Sequence, residues 1–343
     1  MSDEGGAGEP LSDRQKREIA VWFLSNAPAG EIHYVAKGKP HAPPAFPPIP
    51  MPVYNPARHL TRAPTHAVAS RPCADVRALL GDDAVYEAAA AEAFPEYNKA
   101  RLVSLELPDR SGDIIISTYG EIDKNNYLDP RTAQVATIDH MKQTCTKLRP
   151  AEDEELPSAY IEEFRCALDV ELSKYVVEAY PKGACAIYCT SGKDIEGPGA
   201  DFSFTAVISA AKRSPQNFCN GSWRSIWTMD FNYELQFVDI KGNIQVDAHY
   251  FEEGNVQLDT NIDRKDSTIM QSPDDCAVSI TNIIRHHESE YLSSLEESYL
   301  NLSDATFKDL RRKLPVTRTL FPWHNTLALS LTRDLAKELA LGK

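Results

Sequence analysis

The stretch Phe202-Ser203-Phe204-Thr205-Ala206-Val207-Ile208-Ser209, with its sequel Trp223-Arg224-Ser225-Ile226-Trp227-Thr228-Met229-Asp230-Phe231, decides the fold. Phe202, Phe204, Ala206 and Ile208 alternate with Ser203, Thr205, Val207 and Ser209. Trp223, Ser225, Trp227, Met229 and Phe231 alternate with Arg224, Ile226, Thr228 and Asp230. A period of two sends successive side chains to opposite faces of a sheet. The connections at 192–199, 215–221 and 252–255 are short and turn-rich. Parallel strands need longer crossovers, so residues 184–262 read as a five-stranded antiparallel meander.

On either side of this sheet the period changes to that of a helix. Upstream, Ile161, Phe164, Leu168, Leu172, Tyr175 and Ala179 repeat at three and four, and the helix stops at Tyr180-Pro181-Lys182-Gly183. Downstream, a helix over 274–302 places Ile280, Ile283, Ile284, His287, Tyr291, Leu295 and Leu302 on one face, long enough to cross a sheet and cover it. Nearer the N-terminus, Ser12 and Gln15 have capping-box spacing at the start of a helix. An Ala-rich helix runs from about Asp83 to Ala93 and stops near Pro95. Residues 102–107, 113–119 and 134–139 read as short strands, with a turn at Leu128-Asp129-Pro130-Arg131, and the acidic run 152–155 reads as a solvated loop.

Between Gly38 and Ala74 the composition shifts to ten prolines with not one Asp or Glu. Such a segment holds neither a helix nor a central strand. If Lys37 is joined directly to Asp75, then Ile32, Val35, Ala36, Val76, Leu79 and Leu80 form one continuous amphipathic face. Residues 38–74 therefore read as the interruption of a helix, either a translated intron or a tolerated disordered loop. The rival reading is a polyproline ligand for an aromatic groove.

The 343 residues are 42% hydrophobic and 25% charged, a globular composition, and the net charge of −14 disfavours general nucleic-acid binding. There is no 18-residue apolar run, and the start MSDEGGAGEPLSDRQK lacks the cationic flank and apolar core of a signal peptide, so the expected location is the cytoplasm. The seven cysteines are scattered without a CxxC pair and read as free thiols; in that compartment the Asn220-Gly221-Ser222 sequon stays unmodified.

The sequence offers little for catalysis. Gly192-Lys193-Asp194 fails as a P-loop, having Ile187 where the first Gly belongs and Asp194 in place of Ser or Thr. His287 and Glu290 stand one helical turn apart, but without a second ligand cluster the group His286-His287-Glu288-Ser289-Glu290 reads as a helix surface, and no metal is expected. Cys219, Cys276 and His286 lack the context of a nucleophile. No enzyme and no cofactor are expected.

The C-terminus differs. Residues 306–318 concentrate Lys308, Arg311, Arg312, Lys313 and Arg318 in an otherwise acidic chain. After Phe321-Pro322-Trp323 comes a helix with Leu327, Leu331, Leu335 and Leu339 at steps of four. A solvated basic helix end followed by a helix docked on the protein's own core would account for both. A basic, proline-broken hinge beside an apolar stripe also suits an acidic protein target or an anionic membrane.

Here the sequence resembles a known family, the alpha subunit of the heterodimeric F-actin capping protein, in its plant branch. The resemblance rests on Asn26-Ala27-Pro28-Ala29-Gly30-Glu31, Tyr127-Leu128-Asp129-Pro130-Arg131, Pro215-Gln216-Asn217-Phe218-Cys219-Asn220-Gly221-Ser222-Trp223-Arg224-Ser225, His249-Tyr250-Phe251-Glu252-Glu253-Gly254-Asn255-Val256-Gln257-Leu258 and Leu310-Arg311-Arg312-Lys313-Leu314-Pro315-Val316-Thr317-Arg318-Thr319. In that family Val-Ala-Lys runs straight into Asp-Val-Arg, so residues 38–74 are this chain's departure.

The resemblance implies a non-catalytic, calcium-independent subunit that pairs obligately with a beta subunit, their sheets joining beneath long antiparallel helices. The pair binds the barbed end of F-actin and blocks subunit addition and loss, in the cytoplasm and cytoskeleton. Lys308, Arg311, Arg312, Lys313, Arg318, Trp323, Leu327, Leu331 and Leu335 would carry the actin contacts. Lys308, Arg311, Arg312 and Lys313 could also contact acidic phospholipids, and the alternative function is an anionic-phospholipid-binding cytoskeletal adaptor.

The expected class is α+β, in six parts. Residues 1–10 are a disordered N-terminus; 11–100 hold the N-terminal helices, with 38–74 disordered inside them; 101–150 form a small β region. Residues 151–183 form a helix, 184–303 the central sheet with its long helix, and 304–343 the basic segment and C-terminal tail.

Overall fold

The computed structural model describes residues 11–27, 72–180, 182–214, 219–250 and 256–304. The expectations placed on 1–10, on nearly all of 38–74 and on the basic tail lie outside these residues.

The meander is present as read. Strands β6 (Ala184–Ser191), β7 (Phe202–Ser214), β8 (Cys219–Asn232), β9 (Phe237–Tyr250) and β10 (Val256–Ile269) pair antiparallel in the order β10-β9-β8-β7-β6. The last strand runs seven residues past the expected Ile262, paired with β9 throughout from Val256↔Tyr250 to Ile269↔Phe237. Alternation sorts the faces. Phe202, Phe204, Ala206, Ile208, Trp223, Trp227, Met229, Phe231, Val238, Ile240, Ile244 and Val246 lie on one side in a single buried cluster. Gly242 stands opposite Trp227 in the β8–β9 register, and any Cβ there would collide with the indole ring, so only glycine fits.

Two helices cover that side. The first (Ala159–Ala179) is N-capped by Ser158 and buries Ile161, Phe164, Leu168, Leu172, Tyr175 and Val176. The second runs from Pro273 to Asp304, 32 residues or about 48 Å at 1.5 Å per residue. It buries Cys276, Ala277, Ile280, Ile284, Tyr291 and Leu295 in the same cluster. The sheet's other face meets Leu102 and Ile115 through Ala184, Ala186, Tyr188 and Val207.

The N-terminal helices are α1 (Asp13–Ser25), α2 (Pro72–Leu80) and α3 (Asp83–Ala100), so the two helices over the sheet are α4 and α5. The capping box at Ser12 forms in both directions, with Gln15 N–H donating to Ser12 Oγ at 3.4 Å and Ser12 N–H to Gln15 Oε1 at 2.9 Å. Three expectations fail here. α3 continues through Pro95 to Ala100, because Phe94, Pro95, Tyr97 and Asn98 are all buried and their packing offsets the hydrogen bond a mid-helix proline forgoes. α2 opens at Pro72, inside the stretch expected to end at Ala74, and proline suits a first helical position. On the expected joint face Val76 is buried and Leu80 packs against the cluster, but Leu79 is 86% exposed.

The small β region has five strands. β1 (Ser104–Glu106) pairs with β2 (Asp113–Ile115), while β3 (Asn126–Asp129), β4 (Gln134–Asp139) and β5 (Thr144–Pro150) form a meander. Leu128 and Asp129, expected in a turn, are therefore paired with Val135 and Gln134. The first two strands are shorter than expected, and β5 was not expected: its burial pattern has no regular alternation to betray it. The acidic run is an ordered 3-10 turn at Asp153–Glu155, with Glu155 gripped by both Arg149 nitrogens at 2.8 and 2.6 Å.

Candidate functional site

The basic and apolar tail residues, from Lys308 to Leu335, lie outside the described residues. What is described is the platform on which α5, the helix leading to them, is fixed. At its centre is Glu288, 1% exposed. Position 288 is four residues beyond Ile284 and three before Tyr291, so helical periodicity points it at the sheet. The expectation that 286–290 form a surface is corrected for this residue; His286 and Glu290 are exposed.

The Glu288 carboxylate accepts four hydrogen bonds. Oε2 takes Tyr175 Oη–H at 2.6 Å and Tyr180 Oη–H at 2.7 Å; Oε1 takes Ser225 Oγ–H at 2.5 Å and Trp227 Nε1–H at 3.1 Å. Two donors come from α4 and its C-cap, and two from β8, so one side chain ties α5 to both neighbours. Burial, reinforced by the carboxylate, pushes both tyrosine pKa values far above their ordinary value. Both therefore remain phenols and donors. Around them Arg285 lies over the Tyr175 ring at 5.2 Å and pairs with Glu178 at 3.2 Å, and Tyr291 Oη meets Thr260 Oγ1 at 3.0 Å.

His287 Nε2 faces Asp266 at 3.0 Å, while its Nδ1 is 4.0 Å from Glu290. Among the described residues no three His, Cys, Asp or Glu side chains converge on a metal-sized site. Cys276 is buried, its Sγ accepting from Gln271 N–H at 3.0 Å, and burial pushes its thiol up. Gly192 sits at φ +79°, where an added Cβ would meet Ile195 and Phe202 at 2.7 Å, so the glycine serves a close backbone turn at the start of the β6–β7 connection.

A second buried carboxylate lies on the opposite face of the sheet. Asp247 accepts from Arg101 Nη1 at 2.7 Å, from Ser222 Oγ at 2.8 Å and from Arg224 Nη2. Arg101 also reaches the Ala27 carbonyl at 3.4 Å and Arg224 reaches that of Ala100, so the C-terminal ends of α1 and α3 are anchored here. Burial would raise the Asp247 pKa, but Arg224 and Arg101 outweigh it and hold the carboxyl below its usual value. Further along the chain Arg131, in the Tyr-Leu-Asp-Pro-Arg motif, grips Asp169 of α4 with two nitrogens at 3.0 and 2.9 Å and reaches the Cys185 carbonyl at 3.1 Å. Sequence reasoning identified none of these three networks as sites.

Each network ties one element to another, and the Glu288 network secures the long helix, which in sequence precedes the basic segment. Fold and platform together define a class: an α+β scaffold built on an antiparallel sheet. A sequence model of the F-actin capping protein alpha subunit matches residues 59–334. The F-actin-capping protein subunit alpha of Arabidopsis thaliana is 58% identical over 97% of this chain and 96% of its own length. That of Dictyostelium discoideum is 38% identical over 77% and 90%. Among solved structures, the homodimeric actin capping protein alpha subunit from Plasmodium berghei superposes with a TM-score of 0.58 at 23% identity, over 72% of this chain and 91% of that one, a likeness of fold. The chain belongs to the F-actin capping protein alpha subunit family.

Proposed function

We propose that this chain is the alpha subunit of a heterodimeric capping protein that binds the barbed end of actin filaments and blocks subunit addition and loss, without catalysis or calcium, in the cytoplasm and cytoskeleton. The family match carries this reading, since it spans the basic segment and the sequence on to residue 334. The fold supplies a second support. β10 is bonded to β9 on one side, and among the described residues no strand bonds to its other edge. Fourteen residues without a bulge or proline make an open template, suited to the edge of a beta subunit.

Capping requires slow dissociation from a polymer end. Lys308, Arg311, Arg312, Lys313 and Arg318 would steer the approach, and Trp323, Leu327, Leu331 and Leu335 would bury apolar surface and slow the departure. The test is a seeded pyrene-actin elongation assay on the chain co-expressed with a beta subunit. Arg311→Ala with Arg312→Ala is expected to weaken capping by roughly 1 to 3 kcal/mol per lost charged hydrogen bond. Unchanged capping would remove these residues from the interface. Loss of binding to acidic-phospholipid vesicles with capping intact would favour the adaptor reading.

A further inference from the structure

One imidazole is held by partners that only its neutral form can keep. His140 follows β4, Gln143 ends the β4–β5 turn, and Asn98 lies in the last turn of α3; all three are buried. His140 Nε2 is 2.9 Å from the Lys124 carbonyl, which can only accept, so that nitrogen carries the ring proton. Nδ1 is then bare, and Asn98 Nδ2–H donates to it at 3.2 Å. The same amide nitrogen donates to the His140 carbonyl at 3.1 Å, while Asn98 Oδ1 accepts from Gln143 Nε2–H at 2.8 Å. The Tyr127 ring stands edge-on to the imidazole at 5.6 Å.

A second ring proton would set Nδ1–H against the Asn98 N–H that now bonds to it. Turning the Asn98 amide over presents Oδ1 to the ring, but it sets that oxygen against the His140 carbonyl and the amide nitrogen against Gln143. One repulsion replaces another. The acids around the ring are already engaged: Glu121 by Lys99 Nζ at 3.1 and 3.0 Å, Asp139 by Lys142 Nζ at 3.0 Å, and Asp123 by Asn126 Nδ2 at 2.7 Å. Lys99, which also pairs with Glu96 at 2.8 Å, adds a repelling charge. Burial, assisted by Lys99, therefore holds the imidazole below its ordinary pKa and outweighs the Lys124 carbonyl, Glu121 and Asp139, which pull the other way. The turn so held is strained. Gln143 sits at φ +49°, a left-handed conformation that a residue with a side chain keeps only where its surroundings enforce it, and Met141 beside it packs against the N-terminal helices.

We propose that His140 is an acid-released latch between the N-terminal helices and the small β region: protonation at Nδ1 expels the Asn98 amide and frees the β4–β5 turn from the end of α3. Arg101, just past that helix, keeps its bonds to Asp247 and to the Ala27 carbonyl, so α3 stays on the sheet and the turn alone lifts. The latch is intramolecular and independent of the assignment to actin.

The test is amide exchange on the full chain at about pH 7.5 and about pH 5.5, corrected for the intrinsic pH dependence of the rate. A freed histidine with a pKa of about 6.5 is protonated roughly ten to one at the lower pH, so opening over 97–103 and 139–146 is expected to rise up to about tenfold while β8 is unchanged. His140→Gln, which does not titrate, removes that rise. Should that variant misfold, Asn98→Asp gives a second measurement by setting a carboxylate against Nδ1. It is expected to move the histidine midpoint, read from ring-nitrogen NMR shifts, above about 6.5 and to keep the turn closed at about pH 5.5. A rise in exchange spread evenly over the chain, a pH profile that His140→Gln leaves unchanged, or a ring carrying its proton on Nδ1 at about pH 7.5 would each overturn the proposal.

Discussion

Two carboxylates are buried on opposite faces of one sheet, and they are stabilised differently. Glu288, under α4 and α5, accepts from two phenols, a hydroxyl and an indole, without a cation among its bonding partners. Asp247, toward α1 and α3, lies between two arginines. A buried charge must be compensated by neutral dipoles or by counter-charge. Dipoles aimed from two elements at an acceptor on a third fix the position of all three and lose nothing to screening. Counter-charges compensate more strongly but bring their own desolvation cost, which is visible at Arg224, where burial and the nearby Arg101 pull the guanidinium below its ordinary value. The dipole design locates the long helix that leads to the tail; the ionic design gathers helix ends.

Removing each carboxylate separates the two. Glu288→Ala opens a cavity and leaves four buried donors without their acceptor, so a loss of at least about 4 kcal/mol is expected in urea unfolding. If the loss were below 1 kcal/mol, water would be compensating those donors and the dipole account would fail. Asp247→Asn keeps the volume but leaves Arg101 and Arg224 without the carboxylate they bond, for which about 3 kcal/mol is expected. The two substitutions should be additive, since the sites share no partner.

The sequence revealed the face of the sheet that Glu288 serves but not Glu288 itself. Alternation at Phe202–Phe204 and Trp223–Trp227 identified strands, order and inner face, because period and turn length are local properties. Glu288 could have been found: it continues the Ile280, Ile284, Tyr291 phase, and an acid on an apolar stripe signals a buried partner set. A surface reading of two histidines and two glutamates concealed it. Asp247 could not, because Arg101 is 146 residues away and only the fold brings them together. The same holds for Arg131 and Asp169. The tail, read from local charge and periodicity, was the most legible candidate site, yet its residues lie beyond the described platform.

The two designs should also yield at opposite ends of the pH scale. Tyr175 and Tyr180 have folded pKa values raised above an unfolded value near 10. The unfolded chain then loses protons that the folded one keeps, and stability falls as pH rises beyond about 10. Asp247 has its folded value depressed, so its contribution is complete above the unfolded value near 4 and fades as pH falls through the folded one. His140 adds a gentler acid step. Burial, with Lys99 nearby, lowers its pKa, and the stability it confers is lost as pH falls from about 6.5. Denaturation free energies measured from pH 3 to 11 should show both limbs. Tyr175→Phe should shrink the alkaline limb, and an alkaline limb unchanged in that variant would contradict its assignment to the buried phenols.

The smallest expected effect concerns Arg17 and Glu92, an ion pair at 2.7 Å with both side chains about half exposed. It joins the same two helices that Arg101 and Asp247 anchor. Water already solvates both charges, so Arg17→Ala should lower stability by no more than about 0.5 kcal/mol, and less in 0.5 M salt. The buried Asp247 site should keep its effect at that salt concentration, because little water or counter-ion reaches it. If Arg17→Ala instead cost as much as Asp247→Asn, the anchoring of α1 to α3 would be distributed along their length. The ionic cluster at their C-terminal ends would then be one contact among several, and the contrast with Glu288 would lie in chemistry alone.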